Sequence, residues 1–139
     1  MRRLLTIAVL MGCVLTAVSV NAWVDHSSNS NKWIAVPGGS WSPTPNQLDK
    51  LRARFETFIQ KGAAEKRVTL HPWQDYSFQF QGQVKDNQKV VFVNAFCIAA
   101  PDYAQQRFVM VLDGGPCFFN LLYDVAHDRF LELRFNGIG

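Results

Sequence analysis

The spacing of apolar residues along this chain switches once, from a helical repeat to an alternating one, and that leaves few architectures open. Between Thr44 and Gln60, the residues Leu48, Leu51, Phe55, Phe58 and Ile59 recur at helical spacing and form one apolar stripe. Thr44 suits the cap of this helix and Pro45 its first position, where a missing N–H costs nothing. Asp49, Lys50, Arg52, Arg54, Glu56 and Lys61 fall largely on the wet side, and Gly62 is the expected stop. From Tyr76 the period becomes two: Tyr76, Phe78 and Phe80 alternate with Ser77, Gln79 and Gln81. Further strands are expected over 89–97, 107–112, 117–123 and 130–135. The turn segments are Lys85-Asp86-Asn87-Gln88, Asp113-Gly114-Gly115-Pro116 and Asp124 to Arg129. One amphipathic helix followed by four to five strands predicts an α+β domain, with the helix packed on a curved antiparallel sheet.

The first 22 residues read as a signal peptide. Arg2 and Arg3 supply a positive start, Leu4 to Val20 carry no charge, and Val20-Asn21-Ala22 places small residues where signal peptidase needs them. Two other readings compete: a lipoprotein signal with lipidation at Cys13, and an uncleaved anchor at the short limit for spanning a bilayer. Cleavage after Ala22 implies export to the periplasm or beyond, with no stable membrane anchor afterwards. The domain reading is then 1–22 signal peptide, 23–43 flexible lead-in and 44–139 a single α+β domain. Within the lead-in, residues 25–31 have linker composition, and residues 32–36 form a candidate short strand.

Export changes the charge argument. Of 14 basic and 11 acidic residues, two of the basic ones are Arg2 and Arg3, so 12 face 11 in the mature chain. Scattered and nearly balanced charge is no footprint for nucleic acid. Cys13 leaves with the signal, and the remaining pair, Cys97 and Cys117, suits a disulfide in an oxidising compartment. A simple meander opposes that pairing. It puts the two cysteines at opposite ends of a sheet, roughly 16 Å apart along the strands, too far to bridge. Either the Ile98-to-Gln106 connection re-routes the third strand, or the Gly-Gly-Pro segment carries Cys117 back.

Val93-Asn94-Ala95-Phe96-Cys97, then Asp113-Gly114-Gly115-Pro116-Cys117-Phe118-Phe119, Tyr123-Asp124 and Asn136-Gly137 resemble small exported bacterial proteins of uncharacterised function. The resemblance covers residues 76–139 and implies an exported α+β domain with a Cys pair, without an activity. The architecture is similar to cystatin-like and NTF2-like domains, a likeness that does not carry function.

No catalytic, cofactor or metal constellation emerges from spacing. His26, His71 and His127 stand apart, with no H-x-x-x-H or C-x-x-C arrangement. Asp124 and Asp128 flank one turn, where Asp favours tight backbone geometry. Asn94, between apolar neighbours, either fixes one packing or lines a pocket inside the curved sheet. The tryptophans lie outside the strong elements, pinning the lead-in or anchoring a partner. The leading expectation is a non-enzymatic exported module binding an unidentified protein or small ligand. Its candidate surfaces are the Trp33-to-Trp41 segment and the Ile98-to-Gln106 loop, with Pro101 and Tyr103. The alternatives are an enzyme or ligand pocket on the concave face with Asn94, and a protein inhibitor with Pro37-Gly38-Gly39 as its insertion loop.

Overall fold

The computed structural model describes residues 32–137, so the signal-peptide, lipidation and anchor readings and the segment through residue 31 lie outside the described residues. Strand β1 (Lys32–Ala35) leads into helix α1 (Pro45–Glu65), followed by β2 (Ser77–Lys85), β3 (Gln88–Phe96), β4 (Phe118–Asp124) and β5 (Arg129–Phe135). The five strands form one sheet in sequence order. β2 to β5 run antiparallel to their neighbours, whereas β1 lies parallel to β2, with Trp33 opposite Phe78. The sheet expected to be antiparallel is therefore mixed. The reason is topological: α1 carries the chain back across the sheet, so β2 starts in the direction β1 took.

Residues 32–43, assigned above to the lead-in, belong to the folded unit. Val36 N–H donates to Phe80 O at 2.9 Å, Ser40 N–H to Gly82 O at 2.9 Å, and Trp41 forms an antiparallel bridge with Gly82. A Cβ on Gly82 would lie 2.1 Å from the Trp41 carbonyl oxygen, so only glycine admits this approach.

Helix α1 begins as its sequence predicts. Thr44 Oγ1 accepts from Gln47 N–H at 3.3 Å and Gln47 Oε1 accepts from Thr44 N–H at 2.8 Å, a capping box ahead of Pro45. It does not stop at Gly62. Arg67 takes the left-handed conformation (φ 57°), Val68 N–H donates to Ala63 O and Arg67 N–H to Ala64 O, which is a Schellman end without glycine. Gly62 instead lets the helix close on the sheet, since a Cβ there would lie 2.5 Å from Leu133 Cδ2.

The buried face of α1 is Leu51, Phe55, Ile59 and Ala63, a strict four-residue spacing. It packs on Phe78, Val91, Val93, Ala95, Phe119, Leu121 and Tyr123 from alternate positions of β2, β3 and β4. Phe55 is at the centre, with ring contacts to Phe78 at 4.9 Å, Trp33 at 5.1 Å and Phe130 at 6.2 Å. Strand β5 joins this face through a bulge. Asn120 pairs with Arg134 but Leu122 with Leu131, so one extra residue on β5 reverses the alternation. Glu132, at φ 54°, marks the bulge, and Phe130, Leu133 and Phe135 all pack with the helix-side core.

The strand expected over 107–112 does not form. Residues 98–116 instead leave the sheet and lie across its other face, with short 3-10 turns at Asp102–Gln105 and Gly115–Cys117. Its Ala104 and Val109 close a second, smaller core with Ile34, Phe96, Cys117 and Phe118. The fifth strand of the sheet is β1, over the candidate strand at 32–36, rather than the one expected at 107–112.

Candidate functional site

This excursion is the most constrained irregular segment of the molecule. β3 and β4 are neighbours in register, Phe96 opposite Phe118, so the residues just beyond that pair face each other. Cys97 and Cys117 are those residues: their Cα atoms are 5.0 Å apart and their sulfurs are bonded. The meander objection therefore falls, because the chain between the cysteines is an excursion rather than a strand.

Two polar side chains on the sheet hold the excursion down. Gln79 is fully buried and Asn94 nearly so, side by side on β2 and β3. Gln79 Nε2 donates to Ala104 O at 2.7 Å and Arg107 O at 2.8 Å, and its Oε1 accepts from Val109 N–H at 2.8 Å. Asn94 Nδ2 donates to Gln79 Oε1 at 3.1 Å and to Val109 O at 3.0 Å. Backbone groups at the buried positions Ala104 and Val109 lack strand partners, and these two amides supply the partners a ladder would have given. Further along, Asn136 Nδ2 donates to Val111 O at 2.6 Å, and Phe108 packs edge-on against Phe92 at 5.0 Å.

The excursion turns Ala104 and Val109 inward over these amides, and it also carries apolar side chains that face outward. Among the described residues the exposed large apolar side chains are Val84, Ile98, Tyr103, Met110 and Leu112, and all but Val84 lie on it. Leu112 is 97% exposed and Met110 65%, alternating with Val109 and Val111, which face inward to differing degrees. Two buried amides under a segment that exposes four large apolar side chains are informative where a single exposed leucine is not.

The remaining candidate residues divide between the excursion and the opposite side of the sheet. Pro101 and Tyr103 are on the excursion, where the Arg107 guanidinium lies 4.3 Å from the centre of the Tyr103 ring. Trp33 is on the helix side of the sheet, packed by Phe55 and Phe78 with the Arg52 guanidinium 5.1 Å above it. Trp41 is half-buried, its Nε1–H donating to Gln83 O at 2.8 Å. It lines a cleft of about 350 Å³ with Pro37, Gly38, Gly39, Phe80 and Gln81. The structure thus separates Trp33 and Trp41 from Pro101 and Tyr103. Asn94 faces the underside of the excursion, where its amide is engaged by Gln79 and Val109.

The acidic turn between β4 and β5 is built as Asp chemistry requires. Asp124, fully buried, accepts from Ala126 N–H, His127 N–H, the His127 ring at 2.7 Å and Arg129 Nε at 3.2 Å. Burial alone would raise its carboxyl, but the donors from His127 and Arg129 outweigh it and hold the group below its ordinary value. Asp128 is lowered as well, first by the hydrogen bond from Tyr123 and against some desolvation, with Arg54 adding an attractive charge. Burial and that same carboxylate push the Tyr123 hydroxyl up to about 12. These groups lock a hairpin.

One cluster is invisible in the sequence. The ring of His71 and the sulfurs of Cys97 and Cys117 place ligand atoms within 4.8 Å of one another. His71 lies 26 residues before the nearer cysteine, in the loop after α1, so no local spacing announces it. No family model, curated protein or solved structure matches this chain.

Proposed function

We propose that this protein is an exported, non-enzymatic binding module whose recognition surface is the disulfide-closed excursion, and that its partner is a protein with a complementary apolar patch. The observation that carries this reading is the exposure of Met110 and Leu112 on a segment that is anchored rather than loose. A disulfide, two buried amides and Asn136 hold the backbone in place, so little ordering entropy remains to oppose association. Flexible methionine beside leucine suits an apolar contact with a partner surface. Export is supported by the signal-like start, and by a disulfide of the kind that persists in oxidising compartments. Among the described residues no helix is long and apolar enough to cross a membrane.

The test is affinity capture from periplasmic extract with the mature chain and with the double variant Met110→Ser/Leu112→Ser. Both side chains point outward, so the variant is expected to melt like the parent. The reading requires a defined partner that the parent retains and the variant loses; equal retention by both would overturn it.

A further inference from the structure

The cluster of His71, Cys97 and Cys117 has a chemistry that the binding reading does not use. We propose that, once the Cys97–Cys117 disulfide is reduced, these three side chains form a binding site for a thiophilic cation, Zn(II) or Cu(I).

The first support is that the disulfide does not create the proximity of its own sulfurs. Phe96 and Phe118 pair across β3 and β4 immediately inside the two cysteines. Gln79 and Asn94 hold the excursion independently of the bridge. Opening the bond therefore leaves two thiols facing each other, with Cα atoms that the sheet keeps about as close as the 5.0 Å of the bridged state.

The second support is that His71 is tied to the same place. Its backbone N–H donates to the hydroxyl of buried Tyr76 at 3.2 Å, and that hydroxyl donates to Pro116 O at 2.6 Å, next to Cys117. A hydrogen-bonded chain thus links the loop after α1 to the segment carrying one sulfur. Its ring ends within 4.8 Å of both sulfurs.

The donor set fits the cation class. Two thiolates and one imidazole are soft to borderline ligands, suited to Zn(II) and Cu(I) and unsuited to Mg(II) or Ca(II). Metal–sulfur distances of about 2.3 Å and metal–nitrogen distances of about 2.0 Å put ligand atoms less than roughly 4 Å apart. The three ligand atoms lie within 4.8 Å of one another, so binding requires the opened sulfurs to part and the imidazole to draw closer. Cys97 N–H already donates to Cys117 Sγ at 3.2 Å, a contact that also favours a thiolate. His71 is exposed and Cys117 buried, so the site opens to solvent on the imidazole side. Three protein ligands satisfy Cu(I), and Zn(II) takes water as a fourth.

The redox step balances with a dithiol reductant. Its two thiols transfer two electrons and two protons, becoming a disulfide while Cys97 and Cys117 become thiols. The cation then binds with release of those two protons, and neutral His71 contributes a lone pair.

The experiment uses the mature chain, reduced with a non-thiol phosphine under anaerobic conditions and titrated with Co(II), Zn(II) and Cu(I). The expected result is one equivalent of Co(II) with thiolate-to-metal charge-transfer bands that Zn(II) abolishes, and one equivalent of Cu(I) taken from a colorimetric chelator. The oxidised chain should bind neither. His71→Ala, at an exposed position, should weaken Zn(II) binding at least about tenfold with unchanged circular dichroism. Cys97→Ser should remove the charge-transfer bands. Absence of these bands in the reduced parent, or Zn(II) affinity in His71→Ala equal to the parent, would overturn the proposal.

Discussion

Replacing Gln79 by methionine isolates the device that holds the excursion. The two side chains are similar in length and volume, so little cavity opens. What disappears is a set of hydrogen bonds to Ala104 O, Arg107 O, Val109 N–H and the Asn94 amide. Arg107 is exposed and its carbonyl can turn to water. Ala104, Val109 and Asn94 are buried and cannot. Each buried group left unpaired costs about 1–3 kcal/mol, which taken alone would exceed 3 kcal/mol in sum. The excursion has another course: it can lift from the sheet, giving up the burial of Ala104 and Val109 while the disulfide keeps its ends in place. That escape caps the loss, so we expect about 3 kcal/mol in a denaturant midpoint and a roughly hundredfold faster exchange of the Val109 amide. Amides of the β2–β3 ladder should change far less. Gln81→Met, on the same strand, removes bonds to Pro37 O and Val36 O and one from Gln83 Nε2, none of them fully buried, and serves as the control, at under about 1.5 kcal/mol. A Gln79→Met midpoint within about 1 kcal/mol of the parent, with Val109 still protected, would show that the amides do not anchor the segment.

Phe55→Ala should cost about 3–5 kcal/mol in chemical denaturation, because the ring is buried at the centre of the aromatic core and its cavity cannot collapse easily. Gly82→Ala should displace Trp41, whose carbonyl oxygen would lie 2.1 Å from the new methyl, and expose the Trp41 indole N–H to rapid exchange by NMR. Asp124 and Asp128 both have folded-state values below the ordinary 3.8. The stability they add is therefore present above that value and lost as pH falls through their lower folded-state values, and Asp124→Asn should flatten the acid limb of a stability–pH curve. Reducing the Cys97–Cys117 bridge, which closes a separation of 20 residues, should lower stability by on the order of 3 kcal/mol without unfolding β2 to β5.

The helix and the β2–β3 hairpin are legible in the sequence because their periodicities are clean and their caps local. Thr44, Pro45 and the Leu51–Phe55–Ile59 spacing specify α1, and Phe78 and Phe80 beside Gln79 and Gln81 announce a two-faced strand. The Arg107–Leu112 misreading has a physical source. Val109 and Val111 alternate with exposed Met110 and Leu112 as in a strand, but their backbone partners are the side chains of Gln79, Asn94 and Asn136. Periodicity reports which side chains point inward, not what satisfies the backbone. Gln79 itself reads as the polar side of an amphipathic strand, and only the excursion lying over it makes that face buried. The β5 bulge is hidden for a similar reason: Leu131 and Leu133 share one spacing but face opposite sides, because Glu132 adopts a conformation that no local pattern signals. The cysteine pairing is legible from the even cysteine number and the signal-like start, whereas His71 joins it only through tertiary contact.

The proposed function requires the excursion to present a surface that another protein covers. A photoreactive amino acid at position 112, in cells expressing the full chain, tests this most directly when set against the same residue at Lys61 on the exposed side of α1. A discrete crosslinked adduct is expected from position 112 and none of that mass from position 61. Equal labelling from both positions, or no adduct from position 112, would contradict it.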